Sequence, residues 1–396
     1  MDQSHTSATT GRRSLPIGSR MNRSRELNVG DRLLVLFNDG PPPTSEQHST
    51  ISASVYTDPA RHAVELSAMS HHPVAALAAS QLTEPGSFHT TELAGRNVII
   101  TRDNDGHVHA MLNACAHRGA TVEHRPSGSA RVLSCGFHGW SYDLDGSLRS
   151  ITDASLFSAA PCTTGLHQLA CEERHGIIWV TPDPASSTRV ADWLGPDIDE
   201  LLVDLGAGSM VHHAETDYDL ACNWKLLTDG FLELYHLKYL HRNSIAPYFP
   251  SNTFLIDRHE HHFIGWLPKS RLMRDISENP RDDWQVYGGM TAPIVLVPGT
   301  VIQWQAGHIE LFSLRPHPTD PTRTTARLTM LVPKDRQHDT ELWDRNWERV
   351  CATIPAEDFA AAEEVQRNIN SGAVTELQIG ANEHALVDHL TEALNC

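Results

Sequence analysis

A two-domain α+β protein is the fold the sequence predicts: a small all-β unit, then a larger half in which helices flank an antiparallel sheet. Two observations carry this. Between about residues 80 and 184 the chain runs as short alternating strands broken by turn signals. Beyond Pro184, helical stretches near 191–205, 222–242 and 356–371 surround longer strands at 292–304, 309–315 and 325–332, an α+β pattern. With 396 residues, 40% of them hydrophobic, each half has enough chain for its own core.

Taken in order, residues 1–50 are rich in Ser, Thr, Arg and Pro, include Gly40-Pro41-Pro42-Pro43-Thr44 and lack the apolar run of a secretory signal. They read as a disordered leader, with Met21 an alternative start and Leu33–Phe37 a stray strand. Residues 51–79 form an N-terminal helical segment, an amphipathic helix from Tyr56 to Ala79 expected to pack on the second half. After Pro85-Gly86, the runs Val98–Arg102 and Val108–Leu112 flank Asp105-Gly106, a hairpin signal. A second hairpin is expected at Tyr142–Leu148, and Gly176–Val180 is a strand that stops before Pro182. This all-β unit spans 80–184. In the second half, 185–396, Pro298-Gly299-Thr300 turns one apolar run back on the next.

The formal charge of −18 argues against nucleic acid or an anionic membrane as partner, since both reward a basic face. No stretch approaches the length of a membrane span. Seven cysteines, an odd number without a signal peptide, read as reduced thiols in a cytoplasm. Of these, Cys162, Cys171, Cys222, Cys351 and Cys396 are taken as core or surface residues. His259, His261 and His262 read as strand residues, not a metal site.

Cys115 and Cys135 have ligand company. The chain reads Cys115-x-His117 and, after seventeen residues, Cys135-x-x-His138. Such a set suits structural zinc. It is also the ligand set of a Rieske [2Fe–2S] centre, where two imidazoles on one iron lift the potential to roughly −150 to +300 mV. Gly119, Gly136 and Gly139 favour the cluster, because glycines let two loops approach it closely and turn backbone N–H groups toward its sulfides.

A second constellation is His236 and His241. Two imidazoles and a later carboxylate can hold ferrous iron and leave adjacent positions open for dioxygen and substrate. Five residues on an ideal helix rotate by about 500°, which puts the two rings about 140° apart. Convergence on one metal therefore demands a break between them. The alternative is two ordinary amphipathic-helix histidines.

The Arg118-Gly119 and Gly139-Trp140-x-Tyr142 that follow the histidines, the Asn223-Trp224-Lys225 opening and the Glu233-x-Tyr235-His236-x4-His241 run resemble the α subunits of Rieske non-heme iron oxygenases, the aromatic-ring-hydroxylating family. The resemblance runs from about residue 56 to the C-terminus. It implies a Rieske cluster on Cys115, His117, Cys135 and His138, and a helix-grip-like catalytic domain holding mononuclear Fe(II) on His236, His241 and Asp358, with Glu357 the next candidate carboxylate. Asp358 also reads as part of a helix N-terminus after Pro355, where the macrodipole favours an ionised acid. Glu233 matches the carboxylate that links the two metals, joining His236 to His138 of a neighbouring subunit. That bridge is most often Asp; Glu marks the choline/carnitine monooxygenase-like and betaine demethylase-like members. The chain departs from that subgroup at Leu237, where it has Cys, and from the family at Gly230, where Asn is usual.

By the same resemblance, the protein would be a terminal oxygenase. It would use O2 to hydroxylate, dihydroxylate or oxidatively demethylate a small aromatic or alkylamine substrate. Electrons from NAD(P)H would come through a separate flavin reductase, a ferredoxin or both, since the chain has no Rossmann fingerprint. A homotrimer is implied, with a β subunit as a further option. Phe231, Leu232, Leu237, Leu296 and Trp304 are candidate pocket walls. The rival reading is a Rieske electron-transfer protein whose oxygenase half is non-functional.

Overall fold

The computed structural model describes residues 22–40, 49–157 and 165–395. The first half holds three small antiparallel sheets. In one, Ser87–Leu93, Arg96–Arg102 and Val108–Leu112 are the middle strands of five. The hairpin at Asp105-Gly106 forms as the sequence indicates, with Gly106 at φ 87°, a left-handed conformation that glycine adopts without penalty. Phe88, Ile99, Met111, Leu133, Trp140 and Tyr142 share one core beneath the two Cys/His loops.

The second half is built on seven antiparallel strands in the order Met210–Leu220, Thr324–Pro333, Ile309–Pro316, Thr300–Trp304, Met290–Leu296, His262–Pro268, Leu255–His259. Helix Trp224–Leu232 packs across this sheet. Helices Thr340–Thr353, Ala360–Asn370 and His384–Asn395 complete the layer. The edge strand Met210–Leu220 escapes sequence reading because its MVHHAETDYDL run has no buried face. A long backbone ladder with Thr324–Pro333 carries it. Among the described residues no helix is long and apolar enough to cross a membrane.

The expected leader needs correction. Arg23–Asp39 is a helix, capped by the Asn22 side chain, which accepts from the Arg25 N–H at 3.1 Å. Leu33–Phe37 lies in it and is not a strand. Leu27, Val29 and Leu33 enter the second half's core, and a Cβ on Gly30 would stand 2.9 Å from the Trp284 ring. A narrow apolar contact and bidentate pairing of Arg32 with Asp257 (2.6 and 2.8 Å) hold a helix too polar to stand out by composition. The remainder of the predicted leader, 1–21 and 41–48, lies outside the described residues.

The helix expected over 56–79 is also shorter. Asp58 caps it, Pro59 opens it and it ends at Ser70. Val74–Ala78, after Pro73, is instead a strand paired with Ile177–Val180 in the first half. Helix Pro59–Ser70 is tied to Trp224–Leu232 by a buried ion pair, Lys225 Nζ to Glu65 Oε2 at 2.5 Å, with Arg61 on the other carboxylate oxygen at 2.7 Å. Glu65→Ala would leave the Lys225 ammonium buried and alone. A loss of about 3–5 kcal/mol is expected in urea unfolding, and an unchanged midpoint would count against this tie.

Candidate metal centres

The two Cys/His loops are built alike. Each folds back by hydrogen bonds around its cysteine: Gly119 N–H to Cys115 O (2.8 Å) and Cys115 N–H to Ala120 O (2.8 Å) in one. In the other, Gly139 N–H reaches Cys135 O (3.0 Å) and Cys135 N–H reaches Trp140 O (2.9 Å). Gly119 and Gly139 sit at φ 77° and 71°, so both turns need glycine. The cysteines are buried and the histidines lie outward, with His138 exposed. The two imidazoles stand with ring centroids 4.6 Å apart, and Trp140 stacks on His117 at 4.9 Å.

Two features fit an iron–sulfur cluster held here. His117 Nδ1 is buried with no hydrogen-bond partner, and Cys115 and Cys135 are free thiols. The Tyr142 hydroxyl accepts the Ala116 N–H at 3.0 Å and lies 3.0 Å from Cys115 Sγ, where its own proton can be donated to a thiolate. Burial, with Cys115 beside it, pushes the Tyr142 pKa up and keeps that proton in place. Hydrogen bonds to cysteine sulfur raise a cluster's potential, so Tyr142→Phe is expected to shift the midpoint negative in a redox titration followed by EPR; no shift would remove the hydroxyl from this role.

The second constellation solves the 140° problem by breaking the helix. Helix Trp224–Leu232 stops at Glu233, whose backbone is extended (φ −121°, ψ 99°). A turn at Leu234–His236 and a short helix at Leu237–Leu240 follow. His236, His241 and Asp358 then each bring a ligand atom within 4.8 Å of the others. Asp358 Oδ1 is 3.1 Å from His241 Nε2 and 3.6 Å from His236 Nε2. The opposite ring nitrogens are occupied: His236 Nδ1 meets Glu233 Oε1 at 2.5 Å and the Glu233 carbonyl at 2.7 Å. His241 Nδ1 meets Glu357 Oε2 at 2.5 Å, and that oxygen also accepts from Ser244 at 2.6 Å. Each Nδ1 thus donates to an acid and each Nε2 is left for a metal, an arrangement that fixes tautomer and ring angle.

Asp358 does not stand at a helix start. Pro355–Phe359 is a π-helical turn inside one long helical run, closed by Phe359 N–H to Ile354 O at 3.0 Å. Asp358 therefore gains nothing from a helix N-terminal dipole of the kind the sequence suggests. The dipole's place is taken by the extra residue of the turn, a feature common at functional sites, which presents Glu357 and Asp358 to opposite nitrogens of one ring. Glu357 meets His241 at Nδ1, the ring nitrogen away from the three grouped donor atoms. Sequence reasoning had no signal for Ser244.

Burial works against charge on both rings, yet Glu233 and Asp358 hold His236, and Asp358 and Glu357 hold His241, above the ordinary histidine range. A metal at Nε2 must displace those protons. Apparent Fe(II) affinity is therefore expected to fall as the pH drops, beginning above the ordinary histidine pKa of about 6.5, with proton release on binding. A chelator-competition titration at several pH values checks this; a flat profile would contradict it.

The three donor atoms face a cavity of about 380 Å³, walled by Phe231, Leu237, Leu240, Leu267 and Pro293. Of the predicted walls, Phe231 and Leu237 are there. Leu232, Leu296 and Trp304 are core residues instead, because strand and helix periodicity turns them into the packed layer. A Cβ on Gly230 would meet nothing within 4 Å, so the volume of a side chain at that position belongs to the cavity.

Fold and sites together outline two centres that would suit iron: two Cys/His loops at the surface, and a half-buried set of two histidines and one carboxylate at an apolar cavity. Two family models match: the Rieske [2Fe-2S] domain at residues 72–160, and the ring hydroxylating alpha subunit (catalytic domain) at 207–394. The chain is 31% identical over 173 residues to the anthranilate 1,2-dioxygenase large subunit of Acinetobacter baylyi, covering 42% of this chain and 37% of that one. It is 24% identical over 355 residues to the glycine betaine monooxygenase oxygenase subunit of Chromohalobacter salexigens, covering 80% and 79%. A crystal structure of a quaternary ammonium Rieske monooxygenase superposes with TM-score 0.72 at 22% identity, covering 88% of this chain and 95% of that one. Over the first curated relatives the chain spans only 37 to 56% of their length. The chain carries a Rieske [2Fe-2S] domain and a ring-hydroxylating α-subunit catalytic domain, which imply a Rieske cluster and a mononuclear iron.

Proposed function

We propose that this chain is the terminal component of a Rieske oxygenase. It would take electrons at the Cys115/His117/Cys135/His138 cluster and use dioxygen at a ferrous iron on His236, His241 and Asp358 to oxidise a small organic substrate. One observation carries the reading: a two-histidine, one-carboxylate set opens on an apolar cavity in a chain that also has both Rieske loops. Bound iron would supply O2 activation. The protein's own part is to hold both imidazoles in one tautomer through Glu233 and Glu357, and to keep bulk water off with Phe231, Leu237 and Leu267. The names of the relatives, an anthranilate 1,2-dioxygenase and a glycine betaine monooxygenase, support aromatic acids and quaternary amines as substrate classes, with mono- or dioxygenation as the outcome.

Among the described residues no hydrogen bond joins Glu233 to His138 within the chain, and Tyr235 and Tyr239 beside Glu233 are exposed. Both suit a bridge to the His138 of a neighbouring subunit in a homotrimer, with a flavin reductase or ferredoxin as electron donor.

Iron and acid-labile sulfide analysis with EPR of the reduced protein tests the proposal. About three irons and two sulfides per chain are expected, falling to about two irons in His236→Ala/His241→Ala with the Rieske signal kept. Two irons in both proteins would leave an electron carrier, and zinc without sulfide would overturn both centres.

A further inference from the structure

The cavity at the three-ligand site is bounded on one side by Ile245, Phe249, Gln303 and Gln305. These residues also line a second cavity of about 500 Å³. Its far wall has a different chemistry. Lys269 enters it directly after strand His262–Pro268, and Arg349 enters with Asn346 from helix Thr340–Thr353. Among the described residues neither cation has an ion-pair partner, whereas Arg336 on the same wall is paired with Asp339.

Glu310 is the one carboxylate lining this cavity among the described residues. It is already engaged: Gln303 Nε2 donates to Oε2 at 2.9 Å and Gln305 Nε2 at 3.2 Å, while His308 Nε2 lies 3.3 Å from Oε1. In a chain with 49 acidic and 31 basic residues, two cations without an ion-pair partner, facing a cavity that holds one carboxylate, leave a positive excess that runs against the general charge. Burial lowers the Lys269 pKa and Arg349 lowers it further, against the pull of Glu310. A partly desolvated, unpaired ammonium is a cost that an arriving anion removes.

We propose that Lys269 and Arg349 bind a carboxylate at the far end of the substrate, whose apolar body reaches past Gln303 and Gln305 to the His236–His241–Asp358 end. This rests on the oxygenase reading and narrows it to substrates with an apolar part to be oxidised and an anionic group about one cavity away. A neutral hydrocarbon would leave both cations unmatched.

The test is calorimetric binding of phenylacetate, phenylpropanoate and hexanoate, each against its primary amide, to iron-loaded holoenzyme. At least one carboxylate is expected to bind about tenfold or more tighter than its amide, the size of a charge-assisted contact. That preference should shrink with added salt. Lys269→Met and Arg349→Met should each abolish it, with acid affinity falling much further than amide affinity, and Lys269→Arg should retain it. Equal binding of acids and amides, no binding by any of the carboxylates, or a preference indifferent to both salt and substitution overturns the proposal. The salt series needs no variant and so stands even if one fails to fold. Iron content of the same preparations reports separately on the oxygenase reading: anion preference without the third iron would sink that reading and leave the anion site.

Discussion

Asp358→Ala is expected to lose the mononuclear iron altogether, and Glu357→Ala, one residue away, to keep the site with metal affinity lowered about ten- to hundredfold. The difference follows from which nitrogen each acid meets. Asp358 Oδ1 stands on the Nε2 side of both histidines, where the metal would sit. Glu357 meets only His241 Nδ1, with Ser244 holding the same oxygen. Successive side chains on an α-helix diverge by about 100°, so neighbouring acids can serve one imidazole from both edges only because the π-helical turn at Pro355–Phe359 shifts them. Iron analysis before and after a chelator of graded strength separates the two outcomes, with the Rieske EPR signal as the check that the fold is intact. Total iron loss in Glu357→Ala together with retention in Asp358→Ala would exchange the roles assigned here.

The parts that were legible in the sequence are those fixed by a few residues close together. Cys115-x-His117 and Cys135-x-x-His138 specify two loops of the same construction, and the glycines that their turns need at positive φ stand in the motif itself. Asp105-Gly106 and Pro298-Gly299 turns likewise announce their hairpins. The need for a break between His236 and His241 follows from helix geometry alone, although nothing in the run Phe231–Tyr235 shows that Glu233 is where it falls. What stayed hidden depends on distant partners. Helix Arg23–Asp39 is stable through Trp284 and Asp257, more than two hundred residues away in sequence. Strand Met210–Leu220 exists because Thr324–Pro333 offers it a full ladder. The helix over 56–79 was drawn too long because an apolar Val74–Ala78 fits either period; Pro73 and the pairing with Ile177–Val180 decide for strand. Lys269 and Arg349 lie eighty residues apart and come together only as walls of one cavity, one following a strand and one on a helix.

Glu233→Ala is expected to keep both metals and still slow oxidation of the reduced cluster by about a hundredfold. Iron should survive because His236 Nδ1 has a second acceptor, the Glu233 main-chain carbonyl at 2.7 Å, which the substitution leaves in place and which holds the same tautomer. A loss of rate that exceeds any loss of iron therefore reports on the carboxylate's other duty, the link toward His138. Single-turnover spectroscopy of the reduced cluster with O2 and substrate measures it, and Glu233→Gln, which keeps a hydrogen-bonding oxygen without the charge, should fall between. Among the described residues Glu233 and the exposed His138 form no hydrogen bond within one chain, so on the proposed reading the link is made by a neighbour. Co-assembly then discriminates further. In mixed oligomers a Glu233→Ala chain still owns a sound cluster, and a His138→Ala chain still owns a sound iron site with its own Glu233. Wherever the first feeds the second, turnover should rise well above that of either parent, one slowed about a hundredfold and the other without a working cluster. If electrons pass within a single chain, no mixture of the two recovers activity.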